Sequence, residues 1–217
     1  MRCAVLLAGG WAHPGHDQVA AMCDLLAERS FETRVVLDPA EAPAALDEGC
    51  DLLVVAACWF AMTDARYTDE QRRDHAVPLS SALAQSLTRL RDQGCPVFAL
   101  HTAVICFDGH DTWTDWLGGS WNWETSWHPE PGSILVQPAD ATPIEFSRFA
   151  VVDELYQGLD LTEDVDLVAA DGHPLVWLHT TDSGKAAVNL LGHDERSLGD
   201  PAHRDLNGQL IDWLVQD

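Results

Sequence analysis

The sequence predicts an α/β domain: a doubly wound, mainly parallel sheet flanked by helices. Three observations carry that prediction. Continuously apolar runs at residues 3–7, 51–57 and 97–100 suit strands covered on both faces. Segments with helical spacing lie between them, so strand and helix alternate through the first half. The chain has 217 residues and is 47% hydrophobic, enough for a sizeable core, and no repeat or low-complexity linker divides it. Residues 1–217 are therefore read as a single domain.

The elements follow in order. Residues 3–7 form the first strand and run into a glycine-rich turn, Gly9 to Asp17. Residues 18–29 place Val19, Met22, Cys23 and Leu26 on one helical face, with Asp17 expected as the N-cap. Residues 34–37 and 51–57 are the next strands, and the second of these ends at Cys58-Trp59-Phe60. Thr68-Asp69-Glu70 reads as a helix start. Residues 79–91 carry Leu83, Leu87 and Leu90 at helical spacing and close at Gly94. The strand at residues 97–100 follows. In the second half, residues 134–137, 150–152, 165–169, 175–179 and 187–191 read as short strands. Residues 160–166 read as a charged loop and 206–215 as a closing helix.

The charge balance, 12 basic against 35 acidic residues, gives −23. So acidic a surface repels nucleic acid and anionic membranes. The six cysteines show no CxxC spacing and lie mostly in apolar runs, the pattern of reduced, buried thiols in a cytoplasmic protein. The longest apolar run, residues 52–62, is too short to cross a bilayer, and the amino-terminal residues read as a strand, not a signal peptide.

The most unusual stretch is residues 97–132. A strand stops at His101-Thr102 and opens into five tryptophans (113, 116, 121, 123 and 127), the pair Gly118-Gly119, and His110 and His128. Loops after parallel strands meet at the carboxyl edge of a sheet, where α/β proteins build their sites. Loops 9–17, 58–64 and 101–128 carry unusual polar groups, and Asp153-Glu154-Leu155-Tyr156 and Gly192-His193-Asp194 join them. His101, Glu154 and His193 are candidate catalytic groups, as acid, base or ligand. Trp59, Trp113, Trp121, Tyr156 and His13 are candidates for holding a substrate, with indole faces suited to sugar rings. His16, His101, His193 and Glu154 are a candidate set for a divalent metal such as zinc, although no close-spaced ligand signature is present. The same tryptophans could pack an irregular loop or form a homodimer contact.

Together these segments resemble the ThuA-like (trehalose utilisation) family, whose fold is similar to class I glutamine amidotransferases and flavodoxin-like proteins. The matching pieces are residues 51–55 followed by Trp59, Thr68-Asp69-Glu70-Gln71, Leu100-His101-Thr102-Ala103, residues 116–121, residues 153–156, residues 174–177, and Gly184-Lys185 leading to Leu191-Gly192-His193. There are departures. The basic run before the last strand is only Gly184-Lys185-Ala186, and no glycine precedes His101. The resemblance implies a role in carbohydrate metabolism, on trehalose-like disaccharides or their keto derivatives, by a hydrolase- or isomerase-like reaction. It also places His101 where an amidotransferase carries its nucleophilic cysteine, with Cys106 five residues beyond. Glutaminase chemistry is therefore not expected. The alternative is a non-catalytic amidotransferase-like domain that binds a small molecule or a protein partner. A nucleotide site at Gly9-Gly10 is disfavoured, because the turn has neither GxGxxG nor a P-loop lysine.

Overall fold

A computed structural model describes residues 2–216. The chain runs β1 (Arg2–Gly10), α1 (His16–Glu28), β2 (Phe31–Val36), α2 (Ala42–Asp47), β3 (Leu52–Cys58), α3 (Asp69–His75), α4 (Ser81–Asp92) and β4 (Val97–Leu100). After β4 come a 3₁₀ turn (His101–Val104), α5 (Asp111–Leu117) and β5 (Gly119–Ser120). The second half supplies β6 (Gly132–Pro138), β7 (Phe149–Asp153), β8 (Asp160–Leu161), β9 (Asp166–Ala170), β10 (Pro174–Thr181) and β11 (Gly184–Asn189), then α6 (Glu195–Leu198) and α7 (Pro201–Leu214).

Among the described residues, a nine-stranded sheet has the order β2-β1-β3-β4-β11-β10-β9-β6-β7. The first five of these strands are mutually parallel. The other four pair antiparallel. The sheet is thus mainly parallel, as the sequence predicts, with an antiparallel remainder beyond β11. The reason is local: β10 and β11 are joined by a tight turn at Asp182-Ser183, which leaves no room for the crossover that a parallel pair needs.

β3 is buried along its whole length, as its unbroken apolar sequence dictates. Its alternate residues serve two cores. Leu53 and Val55 pack with α2, α4 and α5, and Leu52 and Val54 pack with α1 and α7. β6, with one covered face, buries only Ile134 and Val136.

Some boundaries differ from the sequence reading. Gly15, not Asp17, caps α1, in the left-handed conformation at φ 84°. A Cβ at Gly15 would come within 2.7 Å of the Gly9 nitrogen, so the position requires glycine. Asp17 lies in the first turn instead. β2 starts at Phe31, and α7 starts at Pro201, where the Asp200 carboxylate accepts from the amides of Ala202 and His203. Residues 160–166 are not all loop, because β8 pairs with β5 there. The sequence does not predict the short helices α2, α5 and α6. α3 begins as predicted, with a reciprocal cap between Thr68 and Gln71, whereas α4 begins at Ser81, two residues later than predicted, where the Ser80 hydroxyl caps it. No helix among the described residues is long and apolar enough to cross a membrane.

Candidate functional site

Four strand ends deliver the site. The turn after β1 brings His13, the turn after β4 brings His101, the end of β7 brings Glu154 and the segment after β11 brings His193. One ligand atom from each lies within 4.8 Å of all the others. All but His193 are buried.

His101 occupies the sharp strand-to-helix turn at φ 51°, a conformation that a non-glycine residue adopts at a cost of about 1–3 kcal/mol. The surroundings hold it there. Its Nδ1 donates to the Leu190 carbonyl at 2.8 Å. His13 is fixed in the same way, Nδ1 donating to the Trp11 carbonyl at 3.0 Å. A carbonyl can only accept, so both protons sit on Nδ1 and both Nε2 atoms of the neutral rings are bare lone pairs. Those lone pairs face each other at 3.2 Å. His193 Nδ1 lies 3.1 Å from His13 Nε2 and 3.3 Å from His101 Nε2. A proton on His193 Nδ1 could satisfy one neighbour and would leave the other facing a second lone pair.

Glu154 completes the group. Its Oε2 is 3.5 Å from His101 Nε2 and 3.6 Å from His193 Nδ1, yet this buried oxygen has no hydrogen-bond partner. These contacts are charge proximity, not hydrogen bonds. Its Oε1 lies 3.5 Å from His128. Burial pushes the His13 imidazole down to about 4, aided by His101. Burial also acts to lower His101, but Glu154, Asp153 and the Leu190 carbonyl outweigh it and the net shift is upward. Burial likewise acts to raise Glu154, and His101, with the other two histidines near it, reverses this, holding the carboxyl below its ordinary value.

Asp153 holds two of these elements together. Its carboxylate is 1% exposed and accepts from the amides of Glu154 at 2.7 Å, Gly192 at 2.6 Å and His193 at 3.4 Å. From the other side, the Gln18 amide donates to the carbonyls of Gly192 and His193. The glycines of the β1 turn permit the close approach: a Cβ on Gly10 would run into the Cys58 carbonyl.

The cluster opens into a cavity of about 360 Å³ whose walls are largely aromatic. Trp11, Phe60, Tyr67, Trp121, Trp123 and Tyr156 face it. Trp127 and His128 stand at its rim, with Trp127 52% exposed. Phe60 and Trp123 stack at 5.4 Å, and the Arg66 guanidinium covers Trp123 at 5.3 Å. The Tyr156 hydroxyl is 3.4 Å from His101 Nε2, joining wall to cluster.

The structure therefore brings together His13, His101, Glu154 and His193, with Trp121 and Tyr156 beside them. His16 is not among them. It is exposed in the first turn of α1, and His13 stands in the place expected for it. The reason is the left-handed turn at Gly15, which sends the chain into the helix two residues after His13. Nor do Trp59 and Trp113 line this cavity. Trp59 turns to the opposite side of β3, against Leu83 and Phe107. Trp113 donates its indole N–H to the Ala103 carbonyl in the core. Cys106 is likewise internal, its thiol donating to the Ala57 carbonyl at 2.8 Å. The sequence reading does not mark Trp11, Phe60, Arg66, Tyr67, Trp123 and His128 as site residues, yet they line the cavity. The signal for Trp123 and His128 was their place in the tryptophan-rich stretch, whereas nothing in the local sequence sets Arg66 and Tyr67 apart.

No protein-family model matches the chain, and no curated protein matches it. Solved structures do. A protein of Parabacteroides merdae described as ThuA-like superposes with a TM-score of 0.74 at 12% identity, covering 100% of this chain and 92% of that one. A second protein so described, from Bacteroides uniformis, gives 0.72 at 14% identity, with 99% and 91% covered. A glutamine amidotransferase of Thermotoga maritima gives 0.61 at 13% identity, with 100% and 99% covered. The chain has the fold these proteins share.

Proposed function

We propose that the aromatic cavity binds a sugar or keto-sugar of the trehalose-like disaccharide class, and that a divalent metal held by His13, His101, His193 and Glu154 assists its conversion. One observation carries the metal reading: the Nε2 atoms of His13 and His101, 3.2 Å apart with both Nδ1 atoms committed to carbonyls, beside a buried carboxylate oxygen without a partner. Leaving that oxygen unsatisfied costs roughly 1–3 kcal/mol, and a cation among the four donors removes the cost.

The donor set fits a metal of the zinc class, which takes neutral imidazoles and a carboxylate. The spacing fits as well. Tetrahedral ligands on bonds of about 2.1 Å lie roughly 3.4 Å apart, against the 3.1–3.6 Å measured here between neighbouring donors. A metal held here with one coordination position left open would supply Lewis acidity and lower the pKa of a water or sugar hydroxyl bound at that position. The protein's own contribution is to hold two imidazoles in the tautomer that presents Nε2, to exclude bulk water with aromatic walls, and to carry a proton at His128. Indole and phenol rings offer flat apolar faces for a pyranose, and the polar end of the cavity can orient its hydroxyls. Two structural neighbours are described as ThuA-like, in keeping with the family resemblance on which the substrate class rests.

The binding-only alternative has one observation in its favour. The turn that holds a cysteine nucleophile in amidotransferases here holds a buried imidazole, 2% exposed. Elemental mass spectrometry of the purified, untagged protein decides first: about one zinc, manganese or iron per chain is expected, and its loss in His13→Ala and His193→Ala. A wild-type protein that holds no metal, and takes none up on titration, removes the metal from the reading. Trehalose and its keto derivatives should then quench tryptophan fluorescence and be converted. Binding without turnover by the metal-loaded protein would select the alternative.

A further inference from the structure

The function proposed above leaves the six cysteines unused, and two of them form a separate site at the opposite edge of the sheet. Cys50 precedes β3 and Cys95 precedes β4, so both lie at the amino ends of neighbouring parallel strands, whose carboxyl ends carry Cys58 and His101. The register pairs Leu53 with Val97. Extended backward, it places Cys50 and Cys95 one residue out of step on adjacent strands. With strands about 4.8 Å apart and a rise of about 3.3 Å per residue, their Cα atoms lie about 6 Å apart. That is inside the range that disulfides span without backbone movement. The sulfurs are 4.0 Å apart, and the Cys95 thiol also approaches the Cys50 carbonyl at 3.3 Å.

We infer that Cys50 and Cys95 are a peroxide-responsive dithiol, which a hydroperoxide converts to an intramolecular disulfide linking the amino ends of β3 and β4. The two thiols differ in a way that assigns their parts. Cys50 is partly exposed, while Cys95 is buried. The Cys95 thiol lies within donor reach of the Cys50 sulfur at 4.0 Å, a contact that acts to hold the Cys50 thiol below its ordinary range and to raise that of Cys95. Cys50 is thus the attacking thiolate. It displaces hydroxide from the peroxide O–O bond to give the sulfenic acid Cys50–SOH, two electrons passing from sulfur to oxygen. The Cys95 sulfur then attacks the Cys50 sulfur, the S–S bond forms as the S–O bond breaks, and the Cys95 proton leaves with the hydroxyl as water.

A third thiol tests the assignment. Cys3, at the start of β1, also neighbours Cys50, but burial together with Cys50 pushes its thiol upward. The chain between Cys50 and Cys95 includes the Phe60, Arg66 and Tyr67 wall of the cavity, so the link would tie that wall into a closed covalent loop.

The experiment is peptide mapping of the reduced, full-length protein after exposure to one equivalent of hydrogen peroxide, with and without later dithiothreitol. The expected product is a Cys50–Cys95 linked peptide that lacks two hydrogens and is lost on reduction. In Cys95→Ser the product should instead be a Cys50 sulfenic acid trapped by dimedone. A Cys3–Cys50 link, or wild-type Cys50 passing on to sulfinic acid without a link to Cys95, would overturn the inference. The mapping on the unsubstituted protein decides the matter even if a variant fails to fold.

Discussion

At the scale of single residues, the arrangement depends on groups that need touch no ligand. Asp153 is buried, makes no ion pair among the described residues and spends both oxygens on backbone amides of Glu154, Gly192 and His193. It thereby sets the spacing between two donors that come from separate parts of the chain. Residues that orient metal ligands are worth about 10–100-fold in affinity. Asp153→Asn keeps the shape but replaces one acceptor with a donor aimed at an amide. It should weaken zinc binding by about that factor, read by competition with a chelator, while circular dichroism stays unchanged. Asp153→Glu should do worse than Asn if position, not charge, is what matters. Equal zinc affinity in all three proteins would reduce Asp153 to a structural residue. The sequence exposes this level only in part. Asp153-Glu154-Leu155-Tyr156 stands out because carboxylates follow an apolar strand. Which carboxylate faces the histidines and which the backbone is set by the pleat and by β11, more than thirty residues on. His13 and His16 are likewise indistinguishable until Gly15 is known to turn left-handed.

At the scale of elements, α7 is pinned to β11 through a buried polar chain. His203, at the first turn of α7, donates from Nδ1 to the Ser197 carbonyl at 2.9 Å and accepts at Nε2 from the Asn189 side chain at 2.9 Å. Asn189 passes a further hydrogen bond to Asn207. Protonating Nε2 would set a donor against a donor. Burial, the leading cause, lowers His203 from its ordinary 6.5. The sign follows: below about pH 6.5 the unfolded chain takes up a proton that the folded one refuses, so stability falls as the pH drops through that range. Urea midpoints should therefore be lower at pH 5.5 than at pH 8, and NMR should find the His203 imidazole titrating below 6.5 in the folded protein. A His203 that titrates near 6.5 in the folded protein would sink the argument. The elements themselves were largely legible. Uninterrupted apolar runs gave β1, β3 and β4, and leucine spacing gave α4. α5 was hidden because its tryptophans read as a loop, although Gly118 ends it in the left-handed conformation against His179. The antiparallel half escaped because strand direction depends on connections, which periodicity does not report.

At the scale of the whole molecule, composition and structure bear on one question: what holds together a chain with 12 basic and 35 acidic residues. Ion pairs do form, among them Arg29–Asp212, Arg34–Glu48 and Arg204–Glu28. They lie at the surface, where a pair is worth about 0–1 kcal/mol. With twelve cations at most, two thirds of the carboxylates have no partner to find. Their mutual repulsion acts across the whole surface and opposes the compact state. Salt acts on both effects, since the screening length falls from about 10 Å at 0.1 M to about 3 Å at 1 M. Screening weakens a few attractive pairs and many repulsive ones, so the repulsive side dominates the change. The protein should unfold several degrees higher in 1 M than in 0.02 M sodium chloride, measured by differential scanning calorimetry at pH 7.5. Potassium chloride should give the same gain if screening, not a specific ion, is the cause. A melting temperature that falls with salt would mean that the arginine pairs, not the unpaired carboxylates, set the electrostatic balance. A gain seen only with divalent cations would trace it instead to loading of the histidine cluster.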